Sequence, residues 1–209
     1  MVKLNLAEIP EDVESLLNQI QSENNTENAF IRVSKLEKVI KVMKKISQKA
    51  RTAEEVSEIL GLTRRISVHY INACIYLGTV VEKKDEKNER CYYPTKLGRE
   101  VSALKYSDRS LALKIFELMC KNQIFHILFK ETFENKQLPD LDRIYEVMKE
   151  LDVCRATLRY DQKTEMLTLD RRAQSVRQWI FTILDALIND RRLTEERKPV
   201  KKILLKGEI

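Results

Sequence analysis

The stretch that decides the fold begins Thr52-Ala-Glu-Glu-Val-Ser-Glu-Ile-Leu-Gly61 and continues Thr63-Arg-Arg-Ile-Ser-Val-His-Tyr-Ile-Asn-Ala-Cys-Ile-Tyr-Leu-Gly78. Thr52 has Glu55 three residues on, a spacing at which each side chain bonds the other's backbone N–H, so a short helix starts there. Gly61 supplies the chain reversal and Thr63 the next N-cap. Ile66, Tyr70, Ala73, Cys74 and Leu77 then recur at helical spacing, which predicts a second helix with one buried stripe. The remaining face carries Arg65, His69, Asn72 and Tyr76. Arg64 and Ser67 stand beside it near the N-terminus, where the helix dipole and free N–H groups favour phosphate. Next, Thr79-Val-Val-Glu-Lys-Lys-Asp-Glu-Lys-Asn-Glu-Arg-Cys-Tyr-Tyr93 places two β-prone runs around a polar reversal, and Pro94-Thr-Lys-Leu-Gly98 opens another helix.

Helix, turn, helix and hairpin in that order predict a winged helix. The rest of the chain supports a mainly α class with a small β wing, built as tandem winged-helix or helix-turn-helix units. Of 209 residues only four are glycine and four proline, and long Leu/Ile/Lys/Glu periodic segments leave little room for loop. A hydrophobic share of 43% beside 33% charged residues is that of a globular chain rather than a disordered one. No apolar run reaches the ~18 residues of a membrane span, and Met1 to Pro10 lacks the basic start and apolar core of a signal peptide. The expected location is cytoplasmic, with no membrane partner. Cys74, Cys91, Cys120 and Cys154 lack the paired spacing of a zinc site and read as reduced, packing thiols.

The chain divides into four parts by pattern: 1–29, an amino-terminal helix and linker; 30–107, the winged-helix domain; 108–192, a second helical unit; and 193–209, a carboxy-terminal extension. In the first, Ile9, Val13, Leu16, Leu17 and Ile20 form an amphipathic stripe, with Pro10 in the first turn. It packs on the body or on a partner. A helix over 31–47 follows, with Val33, Leu36, Val39, Ile40, Met43 and Ile46 inward. After Ser107-Asp108 the helices over 110–121 and 124–133 are strongly apolar. A third runs from Pro139 to Leu151 with Asp140 at its start, and Thr168 caps a long last helix with the stripe Leu169, Ala173, Val176, Ile180, Ile183, Leu184 and Leu187.

Net charge is +6, with a pI near 9.0, which draws polyanions to the surface. The distribution is sharper than the total. Arg32, Lys35, Lys38, Lys41, Lys44, Lys45, Lys49 and Arg51 face the single acid Glu37 immediately ahead of the helix-turn-helix. We therefore expect Lys38, Lys41, Lys44 and Lys45, with Lys83, Lys84 and Lys87 of the wing, to contact phosphates. In the wing Glu82, Asp85, Glu86 and Glu89 nearly cancel the charge, so an ordinary solvated hairpin stays open as the alternative. Thr63, Arg64, Arg65, Ser67, His69 and Asn72 are the candidates for one groove, and Arg171, Arg172, Gln174, Ser175, Arg177 and Gln178 of the last helix for another. Arg pairs bidentately with guanine edges and Gln with adenine edges.

These two strings carry a resemblance. Thr63 to Gly78 followed by Tyr93-Pro-Thr-Lys-Leu-Gly98 resembles the winged-helix domains of type II restriction endonucleases and related restriction–modification proteins, with an arginine, an aromatic pair, Asn-Ala and Tyr-Leu-Gly in the same order. Thr168-Leu-Asp-Arg-Arg-Ala-Gln-Ser-Val-Arg-Gln-Trp-Ile180 is similar to the second half of such modules. The likeness covers most of residues 30–185. His69 stands where an aromatic is usual, and Cys154 to Leu167 is longer than the pattern. The resemblance implies sequence-specific recognition of double-stranded DNA in prokaryotic phage defence; whether a separate nuclease or methyltransferase subunit uses this chain as its reader is left open by the sequence.

Competing readings are specific enough to test. A dimeric winged-helix transcriptional regulator would read a palindrome as a homodimer, and a protein-interaction module would use the same surface for docking. A nuclease would need Asp140, Asp161 and Lys163 around Mg²⁺. Against this, Asp140 is expected as a helix cap, and neither acid lies on a convincing strand. His126 in an apolar run and Trp179 in the last helix read as packing residues. No catalytic residue, metal ligand or cofactor is assigned.

Overall fold

A computed structural model describes residues 4–23, 31–151 and 162–193. The chain is mainly helical, with one two-stranded antiparallel sheet. After a single 3-10 turn at Leu6–Glu8 come α1 (Glu11–Gln19), α2 (Leu36–Gln48), α3 (Ala53–Leu60), α4 (Arg64–Tyr76), β1 (Val80–Lys84), β2 (Arg90–Pro94), α5 (Lys96–Ala103), α6 (Arg109–Cys120), α7 (Gln123–Asn135), α8 (Leu141–Glu150) and α9 (Gln162–Ile188).

The capping chemistry at the head of α3 is formed in full. Glu55 N–H donates to Thr52 Oγ1 at 3.3 Å and Thr52 N–H to Glu55 Oε2 at 2.8 Å, which satisfies two of the N–H groups that a helix start leaves open. Gly61 ends the helix at φ 61°, a left-handed conformation that glycine adopts without steric cost. Thr63 holds the N-cap position of α4, but its side chain makes no cap bond. The hairpin runs in register from Val80 opposite Pro94 to Lys84 opposite Arg90, and its turn is held by Asp85 Oδ1, which accepts from the backbone N–H groups of Lys87 and Glu89. Arg51 continues the pairing on the other side of β2, exchanging backbone bonds of 3.1 and 2.8 Å with Tyr92.

Helix α2 is the centre of the first group of elements. It buries Leu36, Val39, Ile40, Val42, Met43 and Ile46 and packs against α3, α4, α5 and β2. The second group, α6 to α9, closes on an aromatic cluster. The rings of Phe116 and Phe129 meet edge-on at 4.8 Å, and Phe125 stacks on Trp179 at 6.0 Å. Helix α1 packs against α6 and α7 through Val13 and Leu17. There Arg109 grips Asp12 with two bonds of 2.5 and 2.9 Å, and that pairing, first by hydrogen bonding, holds the carboxyl below its ordinary range. The amphipathic amino-terminal segment thus lies on the body of this chain.

Three expectations change on contact with the structure. The helix expected over 31–47 begins only at Leu36, and 31–35 belong to no helix or strand. They are held there because Ile31 and Val33 are buried and the Trp179 indole N–H donates to the Val33 carbonyl at 2.8 Å. Thr168 is not a cap: α9 starts at Gln162. Tyr70, Ala73, Cys74 and Leu77 of the predicted α4 stripe are buried, but the buried face is wider than that stripe and lacks its first member. Ser67, Tyr70, Ile71, Ala73, Cys74 and Tyr76 are inside, while Ile66 is 42% exposed. No described helix is long and apolar enough to cross a membrane. The 193–209 extension lies almost wholly outside the described residues, as does Cys154; Cys74, Cys91 and Cys120 are buried and unpaired.

Candidate nucleic-acid interface

The exposed part of α4 is its first turn. Thr63, Arg64 and Arg65 are open to solvent, with His69 and Asn72 half-buried behind them. Arg64 is drawn off by Glu54 of α3, in an ion pair between two exposed side chains. Arg65 has no ion pair among the described residues. Burial, reinforced by the positive charges of Arg32 and Arg65, holds the His69 imidazole below its ordinary value, so it is neutral near pH 7. Two residues expected on this face are elsewhere. Ser67 is fully buried and its hydroxyl has no hydrogen-bond partner among the described residues. Tyr76 is also buried, and burial pushes its phenol well up.

The lysines of α2 do not form a uniform cationic face. Lys38, Lys41 and Lys45 are half-buried along the helix, and Lys45 reaches Gln48 Oε1 at 3.4 Å. Lys44 turns inward: its ammonium donates to the carbonyls of Ser102, at 3.2 Å, and Leu104, and lies 4.5 Å from the centre of the Tyr106 ring. Desolvation lowers its pKa. The expected phosphate contact at Lys44 is therefore replaced by a cap on the end of α5, whose last carbonyls need donors. In the hairpin Lys83, Lys84 and Lys87 are exposed. Arg90 lies 3.5 Å from Glu82 across the ladder, so the acids of the hairpin offset part of its charge.

On α9, Arg171, Gln174, Arg177 and Gln178 are exposed, and Arg171, Gln174 and Gln178 share one helical face. Gln178 Nε2 donates to Thr182 Oγ1 at 3.2 Å. Arg172 and Ser175 were expected beside them but are 3% and 4% exposed. Ser175 Oγ donates to the Arg171 carbonyl at 2.9 Å. Both positions fall on the edge of the apolar stripe, on the side of α9 that is buried in the body.

The proposed nuclease centre finds only a structural role for its first acid. Asp140 caps α8, accepting from Arg143 N–H at 2.8 Å; Asp161 and the side chain of Lys163 lie outside the described residues. No group of three His, Cys, Asp or Glu side chains is placed to hold a metal among the described residues. His126 and Trp179 are buried, as packing residues should be.

Two residues that the pattern of the sequence passes over belong to this surface. Ile66 stands exposed between Arg65 and the buried Ser67. Arg32 is exposed between two buried neighbours, close enough for its charge to act on His69. The signal for Arg32 was its place in the cationic run; assigning that position to a regular helix hid its separate setting.

The chain belongs to the family defined by a domain of unknown function, DUF7226, whose match spans residues 38–188 and so takes in all the elements from α2 to α9. No curated protein and no solved structure matches it.

Proposed function

We propose that the protein binds double-stranded DNA sequence-specifically, with α2 to α5 and the hairpin acting as a winged-helix unit and α9 supplying a second reading face. The observation that carries this reading is Arg65: a guanidinium on the exposed first turn of α4, with no carboxylate paired to it among the described residues. Exposed hairpin lysines at 83, 84 and 87 supply positive charge for the backbone. Phosphate contacts fix register, and base contacts from Arg65, with Asn72 and His69 behind it, supply choice. Arg171, Gln174, Arg177 and Gln178 are the corresponding set on α9. The biological setting proposed is the DNA-reading component of a restriction–modification or phage-defence system.

Selection from a random duplex pool followed by gel-shift titration over salt tests it. A cognate site should emerge, with affinity falling linearly in log–log coordinates as counterions are released. Arg65→Ala should then weaken the cognate complex by about 1–3 kcal/mol and relax one base preference. Salt-insensitive retardation, or none at low salt, overturns the proposal.

A further inference from the structure

The last turns of α4 and α6 meet the amino-terminal segment around an open crevice of about 460 Å³, within the ~300–1,000 Å³ span of small-ligand sites. The side contributed by residues 21–23 is fixed by backbone bonds. Glu23 N–H donates to the Lys121 carbonyl at 2.8 Å, and Gln123 N–H donates to the Glu23 carbonyl at 3.0 Å. The apolar part of the lining comes from three helices, as Ile75 and Leu77 at the end of α4, Leu97 of α5 and Leu118 of α6. Arg65 is ten residues back from Ile75, about 15 Å along the helix axis, so the crevice is separate from the exposed first turn of α4.

The charge around this lining is lopsided. Glu23 is exposed, and its carboxylate has neither an ion pair nor a hydrogen bond among the described residues. Lys121, whose backbone it touches, places its ammonium 2.9 Å from Glu117 instead. Both α4 and α6 present their C-terminal ends to the crevice, and the helix dipole leaves partial negative charge at each. An unpaired carboxylate and two helix C-termini beside apolar side chains attract an organic cation and disfavour an anion.

We propose that this crevice binds a primary organic amine, with the ammonium on the Glu23 carboxylate and an apolar body against Ile75, Leu77, Leu97 and Leu118. Nothing in it depends on duplex binding.

The test uses the full chain, isotope-labelled and followed by backbone amide NMR. The probes are tryptamine and hexylamine, with indolepropionate and hexanoate as anions of similar apolar body. At millimolar concentration the amines should give saturable shifts clustered at Gln21, Glu23, residues 75–78 and residues 118–122, and the anions should not. Glu23 holds its bridge through N–H and C=O, so changes to its side chain leave the wall in place. Glu23→Gln should weaken amine binding severalfold. Glu23→Lys should abolish it and admit the carboxylates. Glu11→Gln, at an exposed acid of α1 outside the crevice, should match the natural chain. Saturable shifts with neither amine overturn the proposal. So do equal binding of amines and anions, and an amine affinity that Glu23→Gln leaves unchanged.

Discussion

The ammonium of Lys44 donates to the carbonyl oxygen of Leu104, sixty positions on, and to that of Ser102 beside it. A lysine that belongs by sequence to a phosphate-binding run therefore closes the end of α5 against α2. Lys45, on the same helix, instead reaches Gln48 Oε1 at 3.4 Å. Charge runs do not act as units; each cation is decided by what its own turn of helix faces.

Lys44→Ala should therefore read out as instability rather than as lost affinity. Removing a charged donor from the end of a helix, together with an aromatic contact, costs about 2 kcal/mol. Urea denaturation should show the midpoint lowered at constant m-value. Duplex affinity and its salt slope, measured well below that midpoint, should stay at the level of the natural chain. A fall in the slope by about one would return Lys44 to the phosphate-contacting set.

Among the described glycines, Gly98 lies closest to another backbone segment. A Cβ there would collide with the Thr79 carbonyl, an oxygen that also accepts from Thr95 N–H at 3.1 Å. On the far side the Gly98 carbonyl accepts from Ser47 Oγ at 3.0 Å. The backbone is therefore held from both directions and cannot retreat. Gly98→Ala should cost about 3 kcal/mol, toward the upper end of overpacking changes, as a lowered urea midpoint. Gly61→Ala is the useful contrast, since nothing lies within 4 Å of a Cβ there and only its positive φ opposes the change.

What the sequence made legible follows from how local the signal is. The capping box at Thr52 and Glu55, the hairpin with its turn at Asp85, and the inward stripe of α2 depend on neighbours within a turn or two, and all are formed as expected. That Ser67 rather than Ile66 is buried in α4 was not legible, because both are compatible with a helix, and the choice between them is made by packing against α2 and α3. Arg172 and Ser175 were lost from the reading face for the same reason on α9. The short irregular segment ahead of α2 is held by an indole 146 residues away, which no window along the chain contains. Exposure was thus legible for Arg64, Arg65, the hairpin lysines, Arg171, Gln174, Arg177 and Gln178, while Ser67, Arg172 and Ser175 beside them are buried.

Ser67 offers a direct check on the buried face of α4. Its hydroxyl is fully buried without a hydrogen bond among the described residues, so it carries a desolvation cost with no compensation. Ser67→Ala also raises helix propensity. The variant should be more stable by about 1 kcal/mol, with duplex affinity unchanged. If Ser67 instead faced DNA, as its position near the N-terminus of α4 suggested, the same change would weaken binding and leave stability nearly flat.

His126 sets an acid limit on the second group of helices. It is buried in α7 with Nδ1 unpartnered among the described residues, and burial, with the nearby Lys130 ammonium, depresses its pKa from the ordinary 6.5. The unfolded chain then binds the proton more readily than the folded one, so stability must fall as pH is lowered from about 6.5 towards the folded-state value, and level off below it. His69 is depressed too and contributes the same sign. His126→Gln removes one of the two titrations. Equilibrium denaturation at intervals between about pH 7 and pH 5 should give a shallower loss of stability for His126→Gln than for the natural chain, and a smaller one again when His69→Gln is added. Equal slopes for the natural and His126→Gln chains would mean that this imidazole charges as easily inside the fold as outside it, and the packing assigned to α7 around it would be wrong.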